Sequence, residues 1–153
     1  MAKDELSRES EQALKLFVVM SRANRAVMDR VKEDIKSHGL NPTEFAVLEL
    51  LYHKGDQPIQ QIGQRILLSS GSMTYVIDQL EGKKLLERRP CPNDRRIKHA
   101  VITDEGKELM REVFPKHREA IRSMFSGLDS VEKQMMIDLL KKLGFSVENP
   151  ADS

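Results

Sequence analysis

The chain has 153 residues, of which 32% are charged, yet its formal net charge is only +1. That length predicts one domain with a core of its own, and the composition is typical of a helical, water-soluble protein. No apolar run approaches the ~18 residues of a membrane span, and the polar start of the chain does not resemble a signal peptide. The single cysteine excludes an internal disulfide framework and fits a cytoplasmic location.

The sequence does not support enzymatic chemistry. We find no nucleophile elbow, phosphate-binding loop or paired-carboxylate arrangement, so we predict neither catalysis nor a cofactor. The four histidines include no i, i+4 pair and have no Cys-x-x-Cys partner. Since metal sites in proteins usually show such spacings, we predict no metal.

A long amphipathic helix is predicted over residues 10–37. Its apolar and small positions recur with the 3.6-residue period of one helix face. They are Leu14, Phe17, Val18, Ser21, Asn24, Val27, Met28, Val31 and Ile35. At a rise of 1.5 Å per residue this helix is about 40 Å long, more than a small domain needs to cover its own core. We therefore expect residues 1–37 to form an N-terminal dimerisation helix.

The next helix has a strong start signal. Asn41 suits the N-cap, Pro42 the first helical position and Glu44 the third, which together form a capping box. After a break at residues 53–57, Pro58 predicts the start of a short helix. We interpret that helix as the first of a helix-turn-helix pair.

The second helix of the pair has an unusual solvent face. The sequence SSGS at residues 69–72 predicts its N-terminal cap. Its buried face follows the i, i+3, i+4, i+7 pattern through Met73, Val76, Ile77 and Leu80. The opposite face carries small, hydroxyl and amide side chains where exposed helices ordinarily carry Glu, Lys and Arg. Such a face suits close approach to the base edges of a DNA major groove.

A basic hairpin follows, with predicted strands at residues 85–89 and 98–103. Residues 83–98 contain seven basic and two acidic side chains, a net charge of +5, whereas the other 137 residues sum to −4. Positive charge concentrated directly after a helix-turn-helix is typical of a nucleic-acid-binding surface. We expect Pro90 and Pro92 to interrupt the first strand, so that the hairpin frays near its tip.

These segments resemble a known family. The run from Asp94 to Gly106, DRRIKHAVITDEG, resembles the wing signature of MarR-type winged-helix regulators, D-x-R, a strand, then L-T-x-x-G. Residues 80–88 resemble the end of that family's recognition helix, and the resemblance covers roughly residues 10–145. It implies a mainly α fold with a small β-wing, in which a winged helix-turn-helix core is flanked by long N- and C-terminal dimerisation helices.

One departure from the family pattern makes a structural prediction. The family usually carries Gly where this chain has Lys84, and this chain has a Gly at 82 instead. If the recognition helix ends as in the family, Lys84 must adopt a left-handed conformation, which is uncommon for a residue with a Cβ. We predict a positive φ angle at Lys84.

Two further amphipathic helices are predicted over residues 104–124 and 130–143, with Thr103 and Ser130 as their N-caps. Their apolar surface favours burial against a second copy, so residues 104–146 are assigned as C-terminal dimerisation helices. The winged helix-turn-helix region is residues 41–103, and residues 147–153 are expected to be a disordered tail. These parts would form one structural domain overall.

The charge pattern and the resemblance together predict the contacts with double-stranded DNA. Residues 70–79 would lie in a major groove, while Arg96 matches the family's wing arginine, which enters the minor groove, and Asp94 the acid that orients it. The predicted DNA-binding residues are Arg65, Ser70, Gly71, Ser72, Thr74, Tyr75, Gln79, Arg88, Asp94, Arg95, Arg96 and Lys98. Of these, Arg65, Arg88, Arg95 and Lys98 are expected to contact phosphates. We expect Asp78 either to accept from a cytosine amine or to lie beyond the DNA.

For the family, the resemblance implies a repressor that binds a palindromic operator as a homodimer and is released by a small aromatic, phenolic or quinone-like ligand. Candidate pocket residues are Phe17, Met20, Phe45, Met110, Phe114 and His117, a set that an ordinary core would also contain. Two alternatives stay open. One is a helical dimeric protein-interaction module; the other is a redox-sensing repressor using Cys91, whose reactive thiolate a nearby arginine could favour.

Overall fold

A computed structural model of the chain describes residues 2–66 and 72–151. Within those ranges it has six helices and three short strands. In chain order they are α1 (Ala2–Ser37), α2 (Pro42–Lys54), β1 (Gln57–Pro58), α3 (Ile59–Arg65), α4 (Met73–Gly82), β2 (Leu86–Pro90), β3 (Lys98–Ile102), α5 (Asp104–Met124) and α6 (Ser130–Glu148). The chain divides into two compact units, residues 1–120 and 121–153. None of the described helices is both long and apolar enough to cross a membrane.

The most deeply buried helix of the first unit is α2, which packs against α1, α4 and β3. Its capping box forms as predicted. The Asn41 side chain accepts from the Glu44 N–H at 2.8 Å, and the Glu44 carboxylate accepts from the Asn41 N–H at 3.1 Å. The second oxygen of the buried Glu44 carboxylate accepts from Lys83 Nζ at 2.7 Å. This ion pair ties the start of α2 to the residue that ends α4.

The sheet has three strands in the order β1-β3-β2, one more than the predicted hairpin. The additional strand, β1, pairs antiparallel with β3 through Gln57 opposite Ala100 and Pro58 opposite His99. A strand of two residues, one of them proline, has no alternation that a sequence pattern could detect.

The prediction that Pro90 interrupts the wing ladder was wrong. Pro90 pairs with Lys98, and beyond it the Cys91 N–H donates to the Ile97 carbonyl at 2.8 Å. Because β2 is at the edge of the sheet, a proline whose missing N–H would face outward removes no ladder hydrogen bond. The wing is therefore paired as far as Cys91.

The end of α4 confirms the prediction for Lys84, whose φ angle is +63°. The Lys84 N–H donates to the Glu81 carbonyl and the Leu85 N–H to the Leu80 carbonyl, each at 3.0 Å. These two bonds form a Schellman motif, which satisfies the last carbonyls of the helix when the residue after the C-cap is left-handed. The chain thus makes this turn with a lysine at the left-handed position, where glycine is the usual residue.

The same turn anchors the start of α5. Thr103 Oγ1 donates to the Lys84 carbonyl at 2.7 Å and accepts from the Gly106 N–H at 3.0 Å, which makes Thr103 the N-cap as predicted. The Thr103 N–H donates to the Leu85 carbonyl at 3.1 Å. A Cβ at Gly106 would lie well inside contact distance of that same carbonyl oxygen. Only glycine lets α5 begin so close to the turn.

The terminal helices extend beyond their predicted bounds. α1 begins at Ala2, and of its residues only Val31 and Ile35 are buried in the single chain. In the second unit the N-cap of α6 is Asp129, which forms a capping box with Glu132, so the assignment of Ser130 was wrong by one position. α6 continues to Glu148, so residues 147 and 148 belong to a helix rather than to the predicted tail.

Lys84 offers a direct test of backbone strain. Replacing Lys84 with Gly should raise the free energy of unfolding by about 0.5–1 kcal/mol, because the left-handed conformation costs a residue with a Cβ about 1–2 kcal/mol and part of that gain is lost to glycine's greater unfolded-state entropy. Urea denaturation followed by circular dichroism measures the difference. Lys84→Ala removes the same side chain but keeps the Cβ, so it should give no gain; equal stability of the two variants would contradict a strained Lys84.

Candidate nucleic-acid interface

Helix α4, which the sequence predicts as the recognition helix, separates its two faces as expected. Val76, Ile77 and Leu80 are buried, with relative exposures of 6%, 0% and 0%. On the other side Thr74, Asp78 and Gln79 are exposed, as is Tyr75, at 62%. An aromatic side chain with this much solvent exposure is free to contact a ligand or a nucleic acid. Ser70 and Gly71, which the sequence also assigned to DNA contact, lie outside the described residues.

Ser72 occupies the N-cap position of α4, but its side chain makes no capping hydrogen bond. The residue is exposed. Its hydroxyl therefore keeps its hydrogen-bonding capacity at the end of the helix where the helix dipole favours an anion.

The wing tip presents Arg96 on a rigid support. The Arg96 side chain is 90% exposed, yet its Nε and Nη2 donate to the two Asp94 carboxylate oxygens at 3.1 and 3.2 Å. The Arg96 backbone N–H donates to the same carboxylate at 3.0 Å. Because the guanidinium fork and the carboxylate are both planar, this bidentate pairing fixes the direction of the side chain. The predicted orienting role of Asp94 has this geometry as its support.

The same pair sets how the wing tip responds to pH. The hydrogen bonds from the Arg96 side chain, and then its backbone N–H, lower the pKa of Asp94 below its ordinary value of 3.8. A lowered pKa means that the folded wing favours the charged carboxylate, so the pairing contributes fully above the ordinary value and is lost only as the pH falls through the lower folded value. At physiological pH the pair is intact.

The other predicted DNA-binding cations differ in whether they already have side-chain partners. Arg95 and Lys98 are exposed and have no ion-pair partner within the described part of the chain. Arg65 donates to the side chains of Gln57 and Gln61, the latter at 2.6 Å. Both of these partners are neutral amides rather than acids. Of these three cations, Arg95 and Lys98 lie in the wing and Arg65 lies at the end of α3.

Arg88 is placed differently from its predicted role. Its guanidinium donates to Asp78 at 2.5 Å and to Glu81 at 2.8 Å, so the predicted phosphate ligand is paired with two acids of α4. Asp78, which the sequence left either contacting a base or lying beyond the DNA, has Arg88 as its partner. Sequence patterns missed this cluster because its members lie on different elements.

The predicted pocket residues divide into two groups. Phe45, Met110 and His117 are buried in the first unit, and the Phe45 and His117 rings lie 4.5 Å apart between centroids. Phe114 is half-buried, with its ring 6.4 Å from that of His117. The other two, Phe17 and Met20, are exposed on α1 at 64% and 36%.

One polar partner of this group was missed by the sequence. His117 Nδ1 lies 2.8 Å from Asp34 Oδ2, and Asp34 Oδ1 lies 3.5 Å from His38 Nε2. An aspartate on a charge-rich helix gives no sequence signal for such a role. The contact links α1 to α5 within the first unit.

Cys91 is half-buried at the end of β2 and makes no disulfide. Its nearest described cation along the chain, Arg89, is paired with Glu87. Among the described residues no group of three or more His, Cys, Asp or Glu side chains is arranged to hold a metal ion.

Comparison with known proteins places these features in a family. Residues 40–98 match the MarR family model. The chain is 53% identical over 139 residues to the HTH-type transcriptional regulator MhqR of Bacillus subtilis (strain 168), an alignment that covers 91% of this chain and 96% of that protein.

Two solved structures share the fold. Sco3205, a MarR family transcriptional regulator from Streptomyces coelicolor in complex with DNA, has a TM-score of 0.77 and 18% identity, and covers 92% of this chain and 90% of its own. BpsR of Bordetella bronchiseptica, whose DNA binding is regulated by 6-hydroxynicotinic acid, has a TM-score of 0.74 and 25% identity, and covers 90% of this chain and 94% of its own. The recognition helix, the paired wing and the full-length match to a transcriptional regulator agree, and the chain belongs to the MarR family of transcriptional regulators, which are not enzymes.

Proposed function

We propose that this regulator is a cytoplasmic repressor that binds a palindromic DNA operator as a homodimer and is released by a small aromatic, phenolic or quinone-like ligand. The observation that carries DNA binding is the exposed face of α4 beside a wing whose Arg96 is held outward by Asp94. Both features present hydrogen-bond donors, and the acids beside them, Asp78 and Asp94, are each paired with an arginine.

In this proposal α4 lies in the major groove. Ser72, Thr74, Tyr75 and Gln79 contact bases or the sugar-phosphate backbone, together with Ser70 and Gly71. Arg96 enters the minor groove, where a guanidinium is attracted by the negative potential. Arg65, Arg95 and Lys98 contact phosphates, which raises the salt dependence of binding.

The case for a homodimer rests on apolar surface in each unit. In the first unit α1 exposes Leu14 at 65% and Phe17 at 64%. In the second unit α6 exposes Val131, Leu139 and Phe145 at 69%, 61% and 71%. Large exposed apolar patches on a charge-rich protein mark interaction sites, and a second copy gives the two-fold symmetry that a palindrome requires. Two recognition helices about 34 Å apart would fit successive major grooves.

The proposed effector would act on the buried aromatic group of the first unit. Phe45, Phe114 and His117 offer ring faces and a polar nitrogen within one cluster, which suits a flat ligand with a hydroxyl or carboxyl group. BpsR, a relative in fold, is regulated by 6-hydroxynicotinic acid, which is such a molecule. A ligand that binds better to the DNA-free arrangement would shift the population away from the DNA-binding one.

The Arg96→Ala variant tests the wing contact. Removing the guanidinium should weaken operator binding by about 1–3 kcal/mol. Asp94→Asn should cause a smaller loss, because the Arg96 guanidinium keeps its positive charge and loses only the carboxylate that orients it. Fluorescence anisotropy with a palindromic duplex, selected by the wild-type protein from a random-sequence pool, measures both. Lys116→Ala removes an exposed cation of α5 and is the matched control. Unchanged affinity in Arg96→Ala would remove this residue from the interface.

The homodimer is tested by sedimentation equilibrium at micromolar concentration. The wild-type protein should sediment as a dimer, and Leu139→Glu should shift it toward the monomer because a charge would then be buried in the apolar interface. Lys141→Glu, an exposed position two residues along α6, should leave the dimer intact. A wild-type monomer under these conditions would contradict the proposal.

Effector release is tested by a thermal-shift screen of phenols, quinones and aromatic acids, followed by operator dissociation. A ligand present at about 100 times its Kd should raise the free energy of unfolding by about 2.7 kcal/mol. The same ligand should release the duplex. Phe114→Ala should weaken the response, whereas Cys91→Ser should retain it. A response that disappears only in Cys91→Ser would instead support the redox-sensing alternative.

The protein-interaction alternative predicts a different partner and a different salt dependence of binding. Binding of the wild-type protein to duplex DNA that weakens steeply with added salt supports the regulator, since phosphate contacts release counterions. Salt-insensitive binding to a protein partner, without any duplex preference, would support the interaction module.

A further inference from the structure

The recognition helix and the wing are joined by a cluster of three charged side chains. Arg88 on β2 donates from Nη2 to Asp78 Oδ1 at 2.5 Å and from Nη1 to Glu81 Oε1 at 2.8 Å. Its backbone N–H donates to the other Glu81 oxygen at 3.1 Å. Asp78 and Glu81 lie three residues apart, so they are neighbours on one side of α4. A single arginine therefore contacts two turns of the recognition helix.

The exposure of these groups shows how the charges are arranged. The Arg88 side chain is 27% exposed, whereas Asp78 and Glu81 are 57% and 42% exposed. The arginine thus lies beneath the two acids rather than at the surface. The hydrogen bond that Arg88 donates to Asp78 is the main cause that raises the pKa of Arg88, so the guanidinium stays charged. The cluster carries a net charge of −1 instead of the −2 that the two acids alone would place beside the DNA.

We propose that Arg88 is a positioning residue, which fixes the wing against the recognition helix and neutralises its acids, and that it does not bind phosphate. Both terminal nitrogens of the guanidinium already donate to carboxylates, so a phosphate would have to approach this group against two neighbouring negative charges. The inference rests on the proposed DNA binding and replaces the phosphate contact that the sequence predicted for this residue.

The position of Arg88 in the hairpin explains why this would matter for binding. The strand continues from Arg88 for three more residues to Cys91, about 10 Å at the usual rise per residue, before the wing turn begins. A change of angle at Arg88 is therefore amplified at Arg96. The pairing fixes the distance between the groove-binding helix and the wing tip.

The two roles for Arg88 predict different salt dependence. A phosphate ligand releases about one counterion, so its removal should lower the slope of log affinity against log salt by about 0.9. A positioning residue lowers affinity while the slope stays near that of the wild type. Arg95→Ala, at an exposed wing cation with no ion-pair partner in the described ranges, is the reference for a phosphate-type loss.

A double-mutant cycle separates the roles further. We would measure anisotropy with the duplex selected by the wild-type protein, using Arg88→Ala, the double variant Asp78→Asn/Glu81→Gln, and all three changes combined. Arg88→Ala should weaken binding about tenfold in the wild-type background, and by less than about twofold once its partners are absent, because positioning requires the acids. Arg88→Lys keeps the charge but not the two-pronged geometry, so it should lose most of the same affinity.

The opposite results are equally distinct. Equal losses in both backgrounds, a slope reduced by about 0.9, and near wild-type affinity in Arg88→Lys would make Arg88 a phosphate ligand. No loss in Arg88→Ala would also overturn the inference. Far-UV circular dichroism and melting curves confirm that each variant is folded, and Arg88→Lys decides the question if Arg88→Ala does not fold. Absence of duplex binding by the wild-type protein would instead refute the proposed function itself.

Discussion

The turn at Lys84 and Leu85 is the constraint on which the DNA-binding part of this protein depends. Three elements meet there: α4 ends, β2 begins, and the residue before α5 bonds to the Lys84 and Leu85 carbonyl groups. Thr103 bonds to both carbonyls, and Gly106 leaves room for the second. If the turn opened, the recognition helix, the wing and α5 would no longer be held in fixed positions relative to one another. The threonine and glycine of the wing signature are thus explained by geometry rather than by contact with DNA.

The basic hairpin shows why net charge is a poor guide to the binding surface. Lys83 and Arg88 contribute to the net charge of +5 that draws attention to this segment, yet each is paired with a carboxylate of another element. Arg96 is also paired, but with Asp94 in its own turn, and it remains 90% exposed. A cation that is paired with another element and shielded from solvent holds the two elements together. One that is paired within its own turn and stays exposed can still donate to a ligand from its free N–H groups. Exposure of the cation separates the two uses: the Arg88 and Lys83 side chains are 27% and 43% exposed, whereas that of Arg96 is 90% exposed.

Local chemistry made much of this structure predictable. The capping box at Asn41, the apolar face of α4 and the left-handed Lys84 each follow from residues within one turn of one another, and all three are present. What the sequence could not supply is tertiary. The pairing of His117 with Asp34 joins residues 83 positions apart, and β1 exists only because β3 offers it a partner. The error at Ser130 has a local cause, since Asp129 beside it is an equally good cap and its carboxylate completes a capping box.

The first unit contains a continuous series of contacts that bears on the proposed regulation. Asp34 of α1 bonds to His117 of α5, whose ring packs on Phe45 of α2. One residue before Phe45, the buried Glu44 bonds to Lys83 at the end of the recognition helix. Contiguity alone does not establish coupling, because the contacts must have two arrangements that a ligand can choose between. The buried Glu44 meets part of that requirement. Moving Lys83 away would leave a carboxylate in an apolar setting with one partner fewer, so α2 and α4 are held to move together. In the proposed mechanism, a ligand that displaced α2 from His117 would therefore move the recognition helix as well, and this movement would release the DNA.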